Sequence, residues 1–296
     1  MQTTSSVAAG NKTTETPLQF GVERHLVGIL TAPAETIDSR EFALIILNAG
    51  VLHRVGPHRL HVKLARRAAE LGVPALRMDL SGIGDSRSPR TDLSFRALAV
   101  KDVQAAMDLV SQRLGVNHFL LFGLCSGADN SLATALADER VFSIAMVDPI
   151  SYVSPQAKLR KLKSRLGELG SVREVTRWGV ARAAKRIEED ANRTLGQAGE
   201  GSSEKTQQGR EVPEKSSYET QLLTLCNRGV QILTLFSGAM DDRFNGPNQL
   251  FEVFPTLKGR VTCEYFPGAN HTFVELSTQA DLLHAVTRWL TSVRAT

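Results

Sequence analysis

The chain has few of the features that define disulfide-stabilised, zinc-binding or membrane-spanning proteins. Only three of its 296 residues are cysteine. Cys125, Cys226 and Cys263 are widely separated, with no Cys-x-x-Cys pair and no histidine at metal-ligand spacing, which argues against a disulfide framework and a zinc site. No apolar run approaches the roughly 18 residues that a membrane helix needs, and the first residues lack the apolar core of a signal peptide. We therefore expect a cytoplasmic protein with no bound metal and no stable membrane insertion.

The charge pattern gives no sign of a nucleic-acid partner. The 35 Lys and Arg residues nearly balance the 31 Asp and Glu residues, for a net charge of +4, and the two signs are interleaved along most of the chain. No Gly-x-Gly-x-x-Gly spacing indicates a dinucleotide site. The glycines of "DLSGIGDS" (79–86) are typical of tight turns rather than of a phosphate cradle. We expect no cofactor.

Alternating strand and helix patterns predict an α/β fold with a mostly parallel, doubly wound sheet. Short apolar runs, many followed by glycine, predict buried strands, and apolar residues at helical spacing predict the helices between them. The expected strands after two early ones are 42–48, 74–80, 118–123, 142–149, 229–238 and 261–268, and the helices are 58–71, 95–114, 127–138 and 278–292. In such sheets the ligand lies at the carboxyl ends of the strands.

One segment breaks this alternation. We expect a disordered tail over 1–16, a first part of the core over 17–150, an insertion over 151–215 and a second part of the core over 216–296. The insertion combines charged amphipathic helices with a low-complexity stretch, and we expect it to form a helical cap over the carboxyl edge of the sheet. Its basic "KLRKLKSR" segment is a solvated helix face or a surface for an anionic carrier, such as coenzyme A or a carrier protein. Nothing in the pattern indicates an oligomeric state.

The stretch "GLCSG" (123–127) follows a predicted strand and opens a predicted helix. A nucleophile elbow has this form, with a nucleophile at the centre of a strained turn and small residues two positions to either side. Centring the pattern on Cys125 places glycine on both sides, whereas centring it on Ser126 places Leu124 in the crowded position. The spacing therefore selects Cys125, although a glycine-rich turn around an inert, buried cysteine has the same five-residue pattern.

Two later turns supply partners for a nucleophile. His271 lies three residues after Gly268, past the last predicted strand, and Asp241 lies three residues after Gly238, past the preceding one. The chain order nucleophile, acid, base fits a catalytic triad, and all three residues follow strands. Asp242 is an alternative acid. Asp148 is a third candidate, which we expect instead to order the loop before Pro149.

Amide donors for an oxyanion hole are expected on either side of Cys125. The backbone N–H of Ser126 is one donor, and that of Val51, in the loop after the strand at 42–48, is the other. Arg54 and Arg59 are positioned to bind a substrate carboxylate or phosphate, with a solvated loop as the alternative. Cys226 and Cys263 are expected to be small hydrophobic core residues.

These motifs resemble those of the α/β-hydrolase superfamily over about residues 17–296. "NAGVLHRVGPHR", "RMDLSGIGDS" and "GLCSGA" look like the cysteine-nucleophile hydrolases associated with exosortase and extracellular-polysaccharide gene clusters, which are commonly described as serine-aminopeptidase-like. The Gly-x-Cys-x-Gly elbow is also similar to dienelactone hydrolase and polyhydroxyalkanoate synthases. Many superfamily members carry His-Gly where this chain has Ala49-Gly50, which leaves the donor from that loop open.

The motif set predicts cleavage of a small-molecule ester or thioester through an acyl-cysteine intermediate. A thioester intermediate also reacts with amines, alcohols and thiols, so acyl transfer is an alternative. A ligand-binding protein with the same fold but no catalysis is a second alternative.

Overall fold

The computed structural model describes residues 13–33, 41–168, 206–207, 210–240 and 243–293. Its ten strands are β1 (Thr13–Phe20), β2 (Leu26–Pro33), β3 (Phe42–Ile46), β4 (Ala75–Asp79), β5 (His118–Leu124), β6 (Val141–Val147), β7 (Thr206–Gln207), β8 (Arg210–Glu211), β9 (Gln231–Ser237) and β10 (Val261–Phe266). Its helices are α1 (Leu60–Glu70), α2 (Phe95–Leu114), α3 (Ser126–Ala137), α4 (Pro155–Glu168), α5 (Lys215–Asn227), α6 (Gln249–Val253) and α7 (Leu276–Ser292).

Eight of these strands form one mixed, mostly parallel sheet. Their order is β1-β2-β4-β3-β5-β6-β9-β10, and β7 and β8 form a separate two-stranded hairpin. Within this sheet, neighbouring strands in the run β4-β3-β5-β6-β9-β10 pair in parallel. β2 is antiparallel to both of its neighbours, β1 and β4. The predicted sheet is therefore confirmed, including all six strands expected after the first two.

Both faces of the sheet are covered, because alternate residues of the central strands enter two different cores. In β3, Ala43 and Ile45 join one apolar cluster, while Leu44 and Ile46 join the other. A strand buried on both faces reads as a continuous apolar run, as "FALII" does. Helices α2, α3 and α5 contribute to the first cluster, and α1 and α7 to the second.

The structure differs from expectation near the first residues. Thr13–Thr16, which we expected in a disordered tail, form the first half of β1. They pair with β2 in antiparallel register, from Thr13 opposite Pro33 to Thr16 opposite Leu30. Residues 1–12 and the second helical pattern of the insertion, at 172–193, lie outside the described residues. Within the residues that are described, no helix is both long and apolar enough to cross a membrane.

Candidate active site

Cys125 lies on a sharp turn between β5 and α3. Its backbone has φ 58° and ψ −121°, which is sparsely populated for a residue with a side chain and costs on the order of 1–3 kcal/mol. A Cβ at Gly123 would lie 2.0 Å from the carbonyl oxygen of Gly127, and one at Gly127 would lie 2.5 Å from that of Asn48. Both glycines are thus required sterically, as the elbow pattern predicts, and the turn is centred on Cys125.

The thiol of Cys125 is hydrogen-bonded to the imidazole of His271. His271 lies in the loop between β10 and α7, and its side chain is about one-quarter exposed, at 26%. Phe273, two residues later, is fully buried in the apolar cluster against which Cys125 packs. Phe273 anchors this loop over the elbow. His271 therefore meets Cys125, although the two residues are 146 positions apart in the chain.

The second nitrogen of the imidazole is bound by Asp148. Nδ1 of His271 lies 2.6 Å from Oδ2 of Asp148, a fully buried carboxylate at the end of β6. The backbone N–H and the hydroxyl of Ser237 each donate to the same carboxylate at 2.7 Å. These bonds fix Asp148 and, through it, the orientation of the imidazole.

This geometry corrects the expectation that Asp148 only orders the loop before Pro149. The backbone of Asp148 has φ 46°, and its side chain is directed at His271 rather than at its own loop. Asp241 and Asp242, the acids preferred from spacing, lie outside the described residues. Among the described residues, the carboxylate that pairs with His271 is Asp148.

The hydrogen-bonded chain favours a thiolate and an imidazolium. Burial raises the pKa of Cys125, but the hydrogen bond from His271 and the positive charge of Arg210 outweigh burial and bring it below its usual value. The hydrogen bonds to Asp148 and to Cys125 raise the pKa of His271 to about 9, against the opposing effect of burial. Opposite shifts of this kind are what an activated cysteine requires.

The loop after β3 packs against the residue that follows Cys125. The N–H of Gly50 donates to the hydroxyl of Ser126 at 3.0 Å, and the backbone N–H of Ser126 faces the sulfur of Cys125. Val51 follows in a turn, with its side chain exposed. The two segments predicted to supply oxyanion donors are therefore adjacent, while the role of the Val51 N–H stays a prediction.

Asn48 holds this loop through its side-chain amide. Nδ2 donates to the carbonyl of Leu52 at 2.8 Å and to Asp79 at 3.1 Å, and Oδ1 accepts from the N–H of Leu80 at 2.7 Å. The side chain is buried, so all of these bonds are shielded from water.

Arg54 is engaged within the protein. Its guanidinium donates to the carboxylates of Asp79 and Asp85, and its side chain is only 11% exposed. Asp79, Asp85 and His53 could otherwise offer clustered metal ligands, but the guanidinium neutralises both carboxylates. Substrate binding by Arg54 would have to break these ion pairs. Arg59 is exposed just before α1, and its binding role stays a prediction.

Cys226 and Cys263 differ from Cys125 in their surroundings. Both are partly buried and pack against the first apolar cluster. Burial raises the pKa of both thiols, that of Cys263 to about 11. They have the character of small core residues, although neither is fully enclosed.

Arg210 was not among the residues predicted for the site. It falls in the low-complexity stretch of the insertion, but its side chain is buried in β8, at 7% exposure. Nη1 donates to the carbonyl oxygen of Cys125 at 2.8 Å, and Nη2 to that of Asp148 at 3.1 Å. A single arginine between low-complexity residues gives no periodic signal, so no pattern in the sequence could have found it.

Comparison with known proteins supports the fold. No protein-family model matches the chain, and no curated protein matches it. Solved structures do, including a protein of Xanthomonas campestris described as an α/β serine hydrolase without a lid, at 16% identity and TM-score 0.53, covering 95% of this chain and 97% of that one. An α/β serine hydrolase homologue from Coxiella burnetii matches at 15% identity and TM-score 0.55, over 94% and 97% of the two chains.

The esterase domain of a Rhodothermus marinus protein is also similar, at 16% identity and TM-score 0.52, over 93% of this chain and 97% of that one. The sheet order and these neighbours together show that the protein has the α/β-hydrolase fold. Fold alone does not define an activity, so the chemistry has to be argued from the residues at the elbow.

Proposed function

We propose that the protein is a hydrolase of acyl esters or acyl thioesters, with Cys125 as nucleophile, His271 as acid and base, and Asp148 as the residue that orients His271. The observation that carries this proposal is the continuous chain from the Cys125 thiol through the imidazole to the Asp148 carboxylate. This arrangement sits on a strained elbow, where an inert cysteine would have no need of the backbone strain.

The reaction follows from the charges in this chain. The Cys125 thiolate attacks the acyl carbon, and the carbonyl electron pair moves onto oxygen, where the N–H groups of Ser126 and Val51 stabilise it. The oxyanion then collapses, and the imidazolium of His271 gives its proton to the departing alkoxide or thiolate. The products of this half-reaction are an alcohol or thiol and an acyl-cysteine.

The second half-reaction regenerates the enzyme. Formation of the acyl-cysteine removes the thiolate, which is one of the two groups that raise the pKa of His271. The pKa of His271 is therefore lower in the acyl-enzyme than in the free enzyme, which favours the neutral imidazole. The neutral imidazole takes a proton from water, whose oxygen attacks the acyl carbon. The tetrahedral oxyanion collapses, the carboxylic acid leaves, and Cys125 recovers its electron pair.

The test is a panel of aryl esters and acyl thioesters of increasing chain length, including acyl-coenzyme A, with wild type and Cys125→Ala. We expect turnover by wild type, none above background by Cys125→Ala, and a mass increase equal to one acyl group on the peptide that contains Cys125. Full activity of Cys125→Ala would refute the mechanism. Binding of panel members without turnover or acylation would support a ligand-binding protein instead.

The same panel separates hydrolysis from acyl transfer. Each substrate is offered with and without an alcohol, amine or thiol acceptor. Hydrolysis predicts that the carboxylic acid forms at a rate independent of the acceptor. Accumulation of the acylated acceptor at the expense of the acid would favour an acyltransferase that uses the same intermediate.

A further inference from the structure

Arg210 joins the two turns that carry Cys125 and Asp148. Its guanidinium donates to the backbone carbonyls of both residues and forms an ion pair with Asp129 at 3.2 Å. Cys125 and Asp148 follow residues that pair across β5 and β6, namely Leu124 and Val147. The guanidinium therefore bridges the carboxyl ends of two adjacent strands.

Both bridged residues have backbone conformations that need external support. Cys125 has φ 58° and Asp148 has φ 46°, and side chains disfavour this left-handed region. Each carbonyl oxygen accepts a charge-assisted hydrogen bond, which is stronger than a neutral one. Because the nucleophile and the carboxylate are fixed by one rigid, planar group, the separation between them is also fixed.

Stability alone is a weak explanation for this arrangement. A buried ion pair loses much of its Coulomb energy to desolvation, and an apolar replacement is often as stable. Asp129 illustrates the cost, since burial is the main reason that its pKa is raised, in spite of Arg210 and Arg96. An arginine at this position is better explained by what it does to the elbow.

The charges around the elbow define what Arg210 contributes electrostatically. Arg210 reaches the carbonyl oxygen of Cys125 from β8, and His271 approaches the sulfur from the loop after β10. Asp129 of α3 accepts from the same Nη1 that donates to Cys125, and it lines, with Arg96, Glu211 and Tyr218, a cavity of about 260 Å³. Arg210 thus contacts both the Asp129 carboxylate and the turn that carries the thiol.

We propose that Arg210 is a positioning residue for the reaction, which holds Cys125 and Asp148 in register through their carbonyls and stabilises the Cys125 thiolate by its charge. This inference rests on the proposed function, because it gives a catalytic reason for the bridge. β8, near the carboxyl end of the insertion, would then help to position the catalytic residues, although most of the insertion's sequence is polar and of low complexity.

The test compares three variants of the full chain: Arg210→Met, Arg210→Lys and Arg228→Met. Arg228 is a matched control, since its guanidinium donates to the carbonyls of Ala135 and Asp138 at the opposite end of α3. The readouts are the pH dependence of Cys125 alkylation by iodoacetamide, kcat and KM on a panel substrate, and the thermal midpoint. Alkylation requires no substrate, so it reports on the thiol whatever the protein turns over.

We expect Arg210→Met to raise the apparent pKa of Cys125 alkylation, so that alkylation at a pH below that pKa slows by up to about tenfold. It should also lower kcat by about 10²-fold with little change in KM. Arg210→Lys keeps the charge but cannot span both carbonyls, so kcat should fall with a smaller shift in the alkylation pKa. Arg228→Met should change the thermal midpoint without moving the alkylation profile.

An Arg210→Met variant that loses only thermal stability, as Arg228→Met does, with an unchanged alkylation profile and kcat, would overturn the inference. If Arg210→Met does not fold, Arg210→Lys decides, because wild-type kcat in that variant is incompatible with a bridging role. Turnover that persists in Cys125→Ala would end the proposed function separately, while the alkylation profiles would still show whether Arg210 acts on the thiol.

Discussion

His271 and Asp148 are joined by a hydrogen bond of 2.6 Å between Nδ1 and Oδ2, and the two residues are 123 positions apart in the chain. Asp148 directly follows β6, and β6 lies next to β5, the strand that ends at the elbow. This bond leaves Nε2 as the nitrogen able to meet the sulfur, because a ring whose Nδ1–H is donated is held in one tautomer and one orientation.

Replacing Asp148 with asparagine should therefore impair catalysis. The amide cannot stabilise an imidazolium and can favour the wrong tautomer, so we expect kcat/KM to fall roughly 10²- to 10⁴-fold. The comparison is Asp241→Asn, the acid preferred from sequence spacing, which should have a smaller effect. Steady-state kinetics on one ester decides; a large loss in Asp241→Asn beside normal kinetics in Asp148→Asn would contradict the assignment.

The three thiols should differ in alkylation rate. Cys125 has a lowered pKa, whereas burial raises the pKa of Cys226 and Cys263. At pH 7 we expect iodoacetamide to label Cys125 at least about tenfold faster than either of the others. His271→Ala removes the hydrogen bond that lowers the Cys125 pKa, so labelling at pH 7 should slow. Peptide mass spectrometry gives each rate, and equal labelling of all three thiols would count against an activated Cys125.

The acylation rate should fall on the alkaline side near the pKa of His271, about 9. Below that pH the imidazolium can protonate the leaving group, and above it the proton is gone, so an alkyl thioester or alkyl ester should react more slowly. A p-nitrophenyl ester is the control, because its leaving group departs without a proton and should keep its rate past pH 9. Single-turnover kinetics checks both. Identical alkaline limbs for the two substrates would show that His271 is not the acid.

Gly123 should not accept a side chain. An alanine Cβ would lie 2.0 Å from the carbonyl oxygen of Gly127, and the three nearest atoms are all backbone, so the clash cannot be relieved by a side-chain movement. We expect Gly123→Ala to lower the free energy of unfolding by about 3 kcal/mol or more. Gly268→Ala is the control, since a Cβ there meets nothing within 4 Å, and it should change the value by less than about 0.5 kcal/mol. Urea denaturation measures both; similar values would show that the elbow is looser than its geometry indicates.

The sequence predicted the sheet and the turn centred on Cys125 because both depend on local patterns. Continuous apolar runs such as 42–46 identify strands that are buried on both faces, and Gly123 is required by a contact with Gly127, within the same five-residue turn. The meeting of His271 with Cys125 was predicted for a similar reason, since His271 directly follows the turn after the last strand.

The pairing of His271 with Asp148 could not be predicted because it depends on the order of strands in space. Asp241 was favoured by its distance from Gly238, but Gly238 has its own reason to be glycine. A Cβ there would lie 2.0 Å from the carbonyl oxygen of Pro267, so close packing of two loops explains the residue. β6 lies directly beside β5, which brings Asp148 next to the elbow. The place of Arg210 in the site could not be predicted either, because it is defined only by tertiary contacts.

Ser126→Ala should separate the oxyanion loop from the activation of the thiol. The hydroxyl of Ser126 accepts the N–H of Gly50, so its removal frees the loop that carries Val51. The backbone N–H of Ser126, which faces the sulfur, is retained. We expect kcat to fall about tenfold through poorer stabilisation of the oxyanion, while the pH dependence of Cys125 alkylation stays as in wild type. If the alkylation profile moves and kcat does not, the hydroxyl acts on the thiol and the loop has no part in the reaction.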